Sequence, residues 1–295
     1  MLYKLKVAVL ILNWNSYQET INCINKLKKS TYKYYSIIIV DNNSDDDSFE
    51  QIKKDFPGYE YIYSKKNLGY AGGNNLGIKK ALENKADLIW ILNNDTIPLP
   101  DTLENLVDTF IQYPDVGVAG SLILNTNKNT DNTYHYTFGK LCLERGGQAI
   151  HLNKPELIKE DIYDVGYVNG ASIMFRPSVV KKVGLLPEEY FLYYEETEWC
   201  YRAQKAGWRT VINPKSKIYQ PSYPLYPRQA FYLIRNRFII TNRLNGKGYI
   251  YIFVTAYQWI KTFLFNKEKR NFKIVYATIM GLVNGILGKK GKYNI

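Results

Sequence analysis

Three acids within four residues, Glu195, Glu196 and Glu198, stand among aromatics in Phe191-Leu192-Tyr193-Tyr194-Glu195-Glu196-Thr197-Glu198-Trp199. Such crowding is unfavourable in a simple core element. It also makes carboxylates raise one another's pKa, which suits one of them to general-base work. The segment reads equally as an acidic helix N-terminus favoured by the macrodipole, and both readings can hold together. Leu92-Asn93-Asn94-Asp95-Thr96 sets a carboxylate beside other oxygen-bearing side chains just past an apolar run. That suits a hard cation that keeps its waters and bridges phosphates; the plainer alternative is a capping Asp in a turn before Pro98. Ile39-Val40-Asp41-Asn42-Asn43-Ser44 ends an apolar run in an acid that could accept hydrogen bonds from a ribose or base while amides face a phosphate. Asp41, Ser44 and Asp47 could equally cap a helix. Asn67-Leu68-Gly69-Tyr70-Ala71-Gly72-Gly73-Asn74-Asn75 combines glycines, which allow close backbone approach, with amides that both donate and accept. Its spacing is neither the dinucleotide fingerprint nor a phosphate loop, so it is a ligand loop of another kind or a plain β–α turn.

The elements that must position these residues alternate. Apolar runs at Val7–Leu12, Ser36–Val40, Tyr59–Tyr63, Leu88–Leu92 and Val116–Leu122 predict strands. Between them, helices are predicted from the capping box Ser16-x-x-Glu19 to about Lys28, from Ser44 and Asp47 towards Phe56, over roughly Ala71–Asn84, and over Asp101–Tyr113. Four strand–helix repeats mean an α/β chain with a mostly parallel sheet covered on both faces. Ligands bind such sheets beyond the carboxyl ends of the strands. That rule selects Asn13–Asn15, Asp41–Asp47, Lys65–Asn75 and Asn93–Thr96, where the polar and glycine residues concentrate. Residues 125–163 read as an irregular excursion. A strand Tyr167–Phe175, helices near Pro177–Val183 and Thr197–Ala206, and a strand Thr210–Ile212 follow, and the Pro-rich stretch Pro214–Pro227 reads as a boundary.

Charge is informative once located. Residues 225–295 hold 13 basic residues and one acid, Glu268, which is the whole formal +12 of the chain; residues 1–224 balance to zero. A neutral body with a basic tail argues against nucleic acid as the partner and for a tail that meets an anionic surface. Cys23, Cys142 and Cys200 are odd in number and lack CxxC spacing, which suggests neither a disulfide framework nor a zinc site. The N-terminus has no long apolar stretch with a cleavage site, so a cytoplasmic location is expected. His135 and His151, the only two histidines, lie in the excursion and read as surface-loop residues.

With these segments in order, the chain resembles the family 2 glycosyltransferases, especially their rhamnosyltransferase-like branch, over roughly residues 5–245. The matching segments are VAVLILNWN, IVDNNSDD, NLGYAGGNN, LNNDT and the run from VNGASIMF to GWRTVINP. The resemblance implies a GT-A type, Rossmann-like α/β domain over 1–224, with a nucleotide-sugar-binding half (1–124) and an acceptor-binding half (125–224). It implies inverting transfer of a sugar from a nucleotide-diphosphate donor, dTDP-rhamnose or a UDP-sugar, to a hydroxyl of a glycan or lipid-linked acceptor in surface-polysaccharide synthesis. By resemblance Asp41 contacts the nucleoside, and Asn13, Asn15, Asn43, Asn67, Gly72, Gly73, Asn74, Asn94 and Asp95 surround the donor. Asp95 matches the last Asp of the metal-binding DxD-like motif and Asn93 its first position, with Mg²⁺ or Mn²⁺ as the implied cofactor. Glu196 stands where the family places its Asp base, beside Glu195, and Glu198 is the acid two positions on. Three departures stand out: Asn93 replaces an Asp, Glu196 is one methylene longer than Asp, and Gln220 falls where many relatives carry a metal-ligating His.

The tail 225–295 holds two apolar stretches, Tyr249–Phe265 and Ile274–Leu287, both interrupted by polar residues or glycine and neither comfortable as a span. Lys267, Lys269, Arg270 and Lys273, then Lys289, Lys290 and Lys292, flank them. This composition suits helices lying in a membrane interface on anionic lipid, at the inner face of the cell membrane. The alternative is a tail packed on the body or on another subunit of a homodimer. Two other functions compete: a sugar nucleotidyltransferase, whose Gly-rich N-terminal signature is missing after Leu12, and a non-catalytic sugar-nucleotide or glycan binder with a decayed metal site, against which the retained acids speak.

Overall fold

The computed structural model describes residues 4–125, 138–151 and 161–293. The first half runs β1 (Val7–Asn13), α1 (Tyr17–Leu27), β2 (Tyr35–Asp41), α2 (Ser48–Asp55), β3 (Glu60–Tyr63), α3 (Gly69–Glu83), β4 (Leu88–Leu92), β5 (Ile97–Pro98), α4 (Thr102–Gln112) and β6 (Val116–Asn125). The second half runs β7 (Phe138–Cys142), β8 (Gln148–His151), β9 (Tyr163–Asp164), β10 (Tyr167–Val168), β11 (Ser172–Phe175), α5 (Pro177–Val183), α6 (Glu195–Lys205), β12 (Arg209–Gln220), α7 (Pro227–Arg243), α8 (Ile250–Phe265) and α9 (Phe272–Ile286).

The main sheet has the order β3-β2-β1-β4-β11-β6-β12-β5, with β9 also pairing to β12. β1 to β4 are parallel neighbours, as are β6 and β12, whereas β11, β5 and β9 run antiparallel to their neighbours. Near-continuous apolar strands are what burial on both faces demands. β1 serves both layers by alternation: Val7, Val9 and Ile11 pack with Cys23, Ile24 and Leu27 of α1, while Ala8 and Leu10 pack with Ala71, Ile78 and Ala81 of α3. The repeated strand–helix units of the sequence therefore form the expected mostly parallel, two-layered α/β sheet.

Three expectations change. The run Tyr167–Phe175 is not one strand: the turn at Asn169-Gly170 divides it into β10 and β11, which join different sheets. β12 does not stop at Ile212 but passes Pro214 and reaches Gln220. Its register against β6 shifts between Asn213 and Lys217, because a proline cannot donate to the ladder and is tolerated at such an irregularity. Third, the described part of the excursion is ordered as an antiparallel sheet, β10-β7-β8. Its β7–β8 connection turns through Gly146 and Gly147, both left-handed at φ 59° and 61°. His151 ends β8; His135 lies outside the described residues.

α7 is far more buried than the word tail implies: Phe231, Tyr232, Ile234, Arg235, Asn236 and Ile240 are all at or near zero exposure. α9 crosses it closely. Gly285 abuts the Phe238 ring and Gly281 the Phe231 carbonyl, so near that an added Cβ at either would collide. Beyond α9, Tyr293 stacks on Phe231 with ring centroids 4.5 Å apart.

Candidate active site

β1 and β2 end in register, with Asn13 opposite Asp41. Asp41 is wholly buried and accepts hydrogen bonds from the Ser44 amide (2.9 Å), the Ser44 hydroxyl (2.7 Å) and Asn13 Nδ2 (2.8 Å). Asn13 Nδ2 also reaches Ser48 Oγ at 3.0 Å, and Asn13 Oδ1 accepts from the Thr20 hydroxyl at 2.9 Å. Asn94 Nδ2 donates to that same Thr20 oxygen at 3.0 Å. One network thus ties β1, β2, α1 and the turn after β4, and each link holds another in place. Asn15 and Asn43 take left-handed backbone at φ 51° and 63°, which Asn tolerates better than most residues. Asp45 N donates to Asn15 Oδ1 at 2.9 Å, and Asn15 Nδ2 donates back to Asp45.

Further along, Asn67 Oδ1 accepts from Gly69 N at 2.9 Å and from Asn42 Nδ2 at 3.3 Å, closing the loop into α3. Gly72, Gly73 and Asn74 are buried inside α3. A Cβ on Gly73 would stand 2.5 Å from a Leu12 methyl, so this glycine lets the helix lie against the sheet. Asn74 Nδ2 bonds the Tyr70 carbonyl at 3.0 Å. The structure therefore gathers Asn13, Asn15, Asp41, Asn43 and Asn94 at the strand ends, and places Gly72, Gly73 and Asn74 in helix packing. Gly69 has the sharper constraint. Its φ is +74°, and a Cβ there would lie 2.1 Å from the Phe191 carbonyl oxygen.

Asp95 and Gln220, 125 residues apart, meet at the ends of β4 and β12: Gln220 Nε2 lies 3.1 and 3.3 Å from the two Asp95 oxygens. Burial raises the Asp95 carboxyl, and the Gln220 bond partly opposes the rise. Asn93 lies in the same turn, its N–H donating to the Ala171 carbonyl at 3.0 Å. Among the described residues no group of three His, Cys, Asp or Glu converges as a self-sufficient metal cage. The Asp95 carboxylate fits a Mg²⁺-like ion completed by waters and substrate phosphates, which is how such ions are commonly held. Gln220, whose Nε2 faces Asp95, would add an oxygen by turning its amide over.

The Glu195–Glu198 acids fall into three different environments. Glu198, at zero exposure, is ion-paired to Arg202 (3.2 Å) and Arg243 (3.1 Å) and accepts from the Tyr190 hydroxyl, so its charge is spent joining α6 to α7. Glu195 is 2 % exposed; burial first, then the neighbouring Glu196 charge, hold its carboxyl well above the usual range. Glu196 is half-buried, and burial pushes it up to about 7 against the backbone N–H groups of Glu196, Thr197 and Gly170 that favour its charged form. The first two belong to the opening turn of α6, where unpaired amides attract an anion. One oxygen of Glu196 has no hydrogen-bond partner. Glu195 and Glu198 each have such an oxygen too, but Glu198 is ion-paired and Glu195 fully buried. Glu196 is the one of the three that is partly exposed, poised near neutrality and without an ion pair among the described residues, as suits a base. The turn Asn169–Ala171 links it to the turn that carries Asp95: Gly170 N–H donates to Glu196 while Ala171 accepts from Asn93.

The loop before Glu196 is held under strain. Phe191, Tyr193 and Tyr194 all have positive φ (64°, 68° and 79°), each costing on the order of 1–3 kcal/mol. Asn236 of α7 over-determines it: its Nδ2 lies 2.8 Å from the carbonyls of Leu192 and Tyr193 and 3.2 Å from that of Tyr190. Buried Arg235 bonds the Tyr190 carbonyl at 2.7 Å and the Gly291 carbonyl at 2.6 Å. Arg237 holds the Gly146 and Arg145 carbonyls at 2.9 and 2.7 Å. Sequence reasoning gave these three no role, although polar Arg-Asn-Arg inside an apolar helix was a visible signal. Asn236→Leu should lower kcat more than tenfold while leaving donor affinity unchanged, and should lower Tm, since three carbonyls lose a partner. Steady-state kinetics and a thermal melt check it; an unchanged kcat would show that the loop keeps its shape without the clamp.

A mostly parallel sheet with its polar clusters beyond the strand ends, closed by antiparallel β11, has the GT-A architecture. A mannosyltransferase from Pyrobaculum calidifontis solved with GDP-Man and Mn²⁺ superimposes with a TM-score of 0.63 at 13 % identity, over 98 % of this chain and 89 % of that one. Staphylococcus aureus TarS 1–349, solved with UDP-GlcNAc, gives 0.58 at 15 % identity, over 95 % and 80 %. Residues 8–184 match the profile of Glycosyl transferase family 2, and the chain belongs to that family. The low-salt glycan biosynthesis hexosyltransferase Agl10 of Haloferax volcanii is 26 % identical over 97 % of this chain and 92 % of its own. The dTDP-rhamnosyl transferase RfbF of Shigella flexneri is 22 % identical over 98 % of both.

Proposed function

We propose that this chain is an inverting glycosyltransferase that moves one sugar from a nucleotide-diphosphate donor to a hydroxyl of a glycan or lipid-linked acceptor. The observation that carries the reading is Glu196: a half-buried carboxylate with one unpaired oxygen, poised near neutrality and tied through Asn169–Ala171 to the Asp95 turn. Glu196 takes the proton of the acceptor hydroxyl as the hydroxyl oxygen bonds to the anomeric carbon, from the face opposite the diphosphate whose bond to that carbon breaks. Three backbone amides, those of Glu196 and Thr197 at the α6 terminus and that of Gly170, keep the carboxylate oriented before and after the transfer. Asp95, with Asn93 and Gln220 beside it, would hold Mg²⁺ or Mn²⁺. Such an ion, when bound, supplies Lewis-acid compensation for charge on the leaving phosphate. The similarity to a dTDP-rhamnosyl transferase and to a glycan-biosynthesis hexosyltransferase favours dTDP-rhamnose as donor, with UDP-sugars next, and a role in glycan synthesis. Incubating the full chain with dTDP-rhamnose, UDP-sugars and GDP-mannose and following nucleoside-diphosphate release tests this; no release from any donor, with or without acceptor glycolipid, would reject it.

We further propose that the α8–α9 pair rests on an anionic membrane surface, which would place a lipid-linked acceptor at the site. No helix of the described residues is long and apolar enough to cross a membrane. Yet 13 of the 19 exposed large hydrophobics among them lie between Tyr249 and Leu287, including Ile250, Phe253, Tyr257, Phe272, Tyr276 and Ile286. A patch of that kind marks an interaction site, and the Lys and Arg that rim it favour anionic lipid as occupant. Co-sedimentation of the full chain with phosphatidylglycerol vesicles should fall when Phe253, Tyr257 and Phe272 are changed to Ser, and should weaken at raised salt. Binding untouched by either change would reject the lipid surface, as would a salt-stable dimer that buries this face.

A further inference from the structure

Arg228, the second residue of α7, stands apart from the cations already described. Its guanidinium lies 5.2 Å from the Trp14 ring centroid and 5.3 Å from that of Phe191. Trp14 directly follows Asn13 at the end of β1 and is 43 % exposed, while Phe191 opens the strained loop before Glu196. Three segments distant in sequence thus meet around one half-buried cation. Each of the other arginines near this end of the molecule has its work: Arg243 pairs Glu189 and Glu198, Arg202 pairs Glu198, and Arg235 and Arg237 bind carbonyls. Arg228 makes no ion pair with any acid among the described residues; it hydrogen-bonds the Tyr232 hydroxyl and lies beside that of Tyr193, which bonds Tyr226 at 2.7 Å.

The position of this cation is chemically suggestive. The segment that leads to it leaves β12 at Gln220, which is bonded to Asp95, and passes Tyr223, whose hydroxyl feels the Asp95 charge. Residues 220–228 therefore form a strap from the candidate metal carboxylate at one end to Arg228 at the other. Aromatic rings against a guanidinium leave its edge for in-plane partners; the Tyr232 hydroxyl takes one of the five N–H donors and the others remain. The fork at that edge matches two oxygens of a phosphate, not a point charge. A metal site with one carboxylate and two amides compensates a diphosphate weakly, so a second cation at the mouth has a task.

We propose that Arg228, braced by Trp14 and Phe191, is a diphosphate-binding residue at the mouth of the site. The inference rests on the transferase reading above. A diphosphate ester could reach it from the nucleotide donor or from a prenyl-diphosphate-linked acceptor, and the same side chain would serve either. The experiment is a calorimetric titration of the full chain in EDTA with dTDP, UDP and GDP, with thymidine, uridine and guanosine, and with farnesyl diphosphate. Arg228→Ala should weaken one class of diphosphate by about 10- to 100-fold and leave the bare nucleosides unchanged. Loss confined to nucleoside diphosphates assigns the residue to the donor; loss confined to farnesyl diphosphate assigns it to the acceptor. Arg228→Lys should recover only part, because an ammonium restores charge without the fork. Equal diphosphate binding by wild type and Arg228→Ala overturns the proposal, and so does a parallel loss of nucleoside affinity, which would mean Arg228 merely props Trp14 and Phe191. A folded wild-type chain that binds no nucleoside diphosphate would overturn the transferase reading, and this one with it.

Discussion

Glu196→Gln should lower turnover by about 10²–10⁴-fold, the usual consequence of removing a general base, while donor affinity barely changes. The amide keeps the size of the side chain but cannot take a proton from the acceptor. Wild-type turnover should rise with pH through about 7, the value to which burial pushes this carboxyl, and the variant should lose that limb. The stability effect runs the other way. A carboxyl whose folded pKa is raised contributes stability that is present below its unfolded value and is lost as pH rises through about 7. Glu196→Gln should therefore melt above wild type at pH 8 and not at pH 4. Glu195→Gln should be milder in turnover, because burial and the Glu196 charge already hold Glu195 protonated. Near-normal turnover in Glu196→Gln, with loss in Glu195→Gln, would transfer the base to the neighbouring acid.

Asp95→Ala should abolish the tightening of nucleoside-diphosphate binding by Mn²⁺, an expected effect of about 10- to 100-fold, leaving the affinity measured in chelator. The carboxylate is the one charged group in the proposed ligand set, and Gln220 and Asn93 offer only neutral oxygens. Removing it leaves the ion with phosphates and water alone. Gln220→His is the complementary test: an imidazole at the end of β12, beside Asp95, should tighten Mn²⁺-dependent binding. Calorimetric titration of UDP and dTDP with Mn²⁺ and with EDTA checks both. Mn²⁺ stimulation that survives in Asp95→Ala would remove Asp95 from the ligand set.

The candidate acids were legible because their local chemistry is unusual: three carboxylates among aromatics at a helix start. Their division of labour was not. Glu198 and Glu196 differ by two positions in sequence, yet Glu198 is ion-paired to Arg202 and Arg243 while Glu196 makes no ion pair among the described residues. Arg202 one turn along α6 and Arg243 from α7 together make that distinction. Likewise, Gly72 and Gly73 suggested close approach to a ligand, and close approach is what they provide, but to Leu12 and Leu68 of the fold itself. A glycine reports that something is near, not what.

The sheet, its parallel order and the side on which polar residues gather followed from the sequence alone, because alternation of apolar strands and amphipathic helices is local and repeats. So did the uneven charge of the C-terminal 71 residues. Long-range pairings had no local signature. Gln220 beside Asp95, Asn236 beneath the Tyr190–Tyr193 carbonyls, and Arg228 against Trp14 and Phe191 join residues 125, about 45 and up to 214 positions apart. Hydrophobic periodicity says which face of a helix is buried, but not which loop it is buried against. That choice is made by packing, when α7 closes under the strained loop and α9 closes over α7.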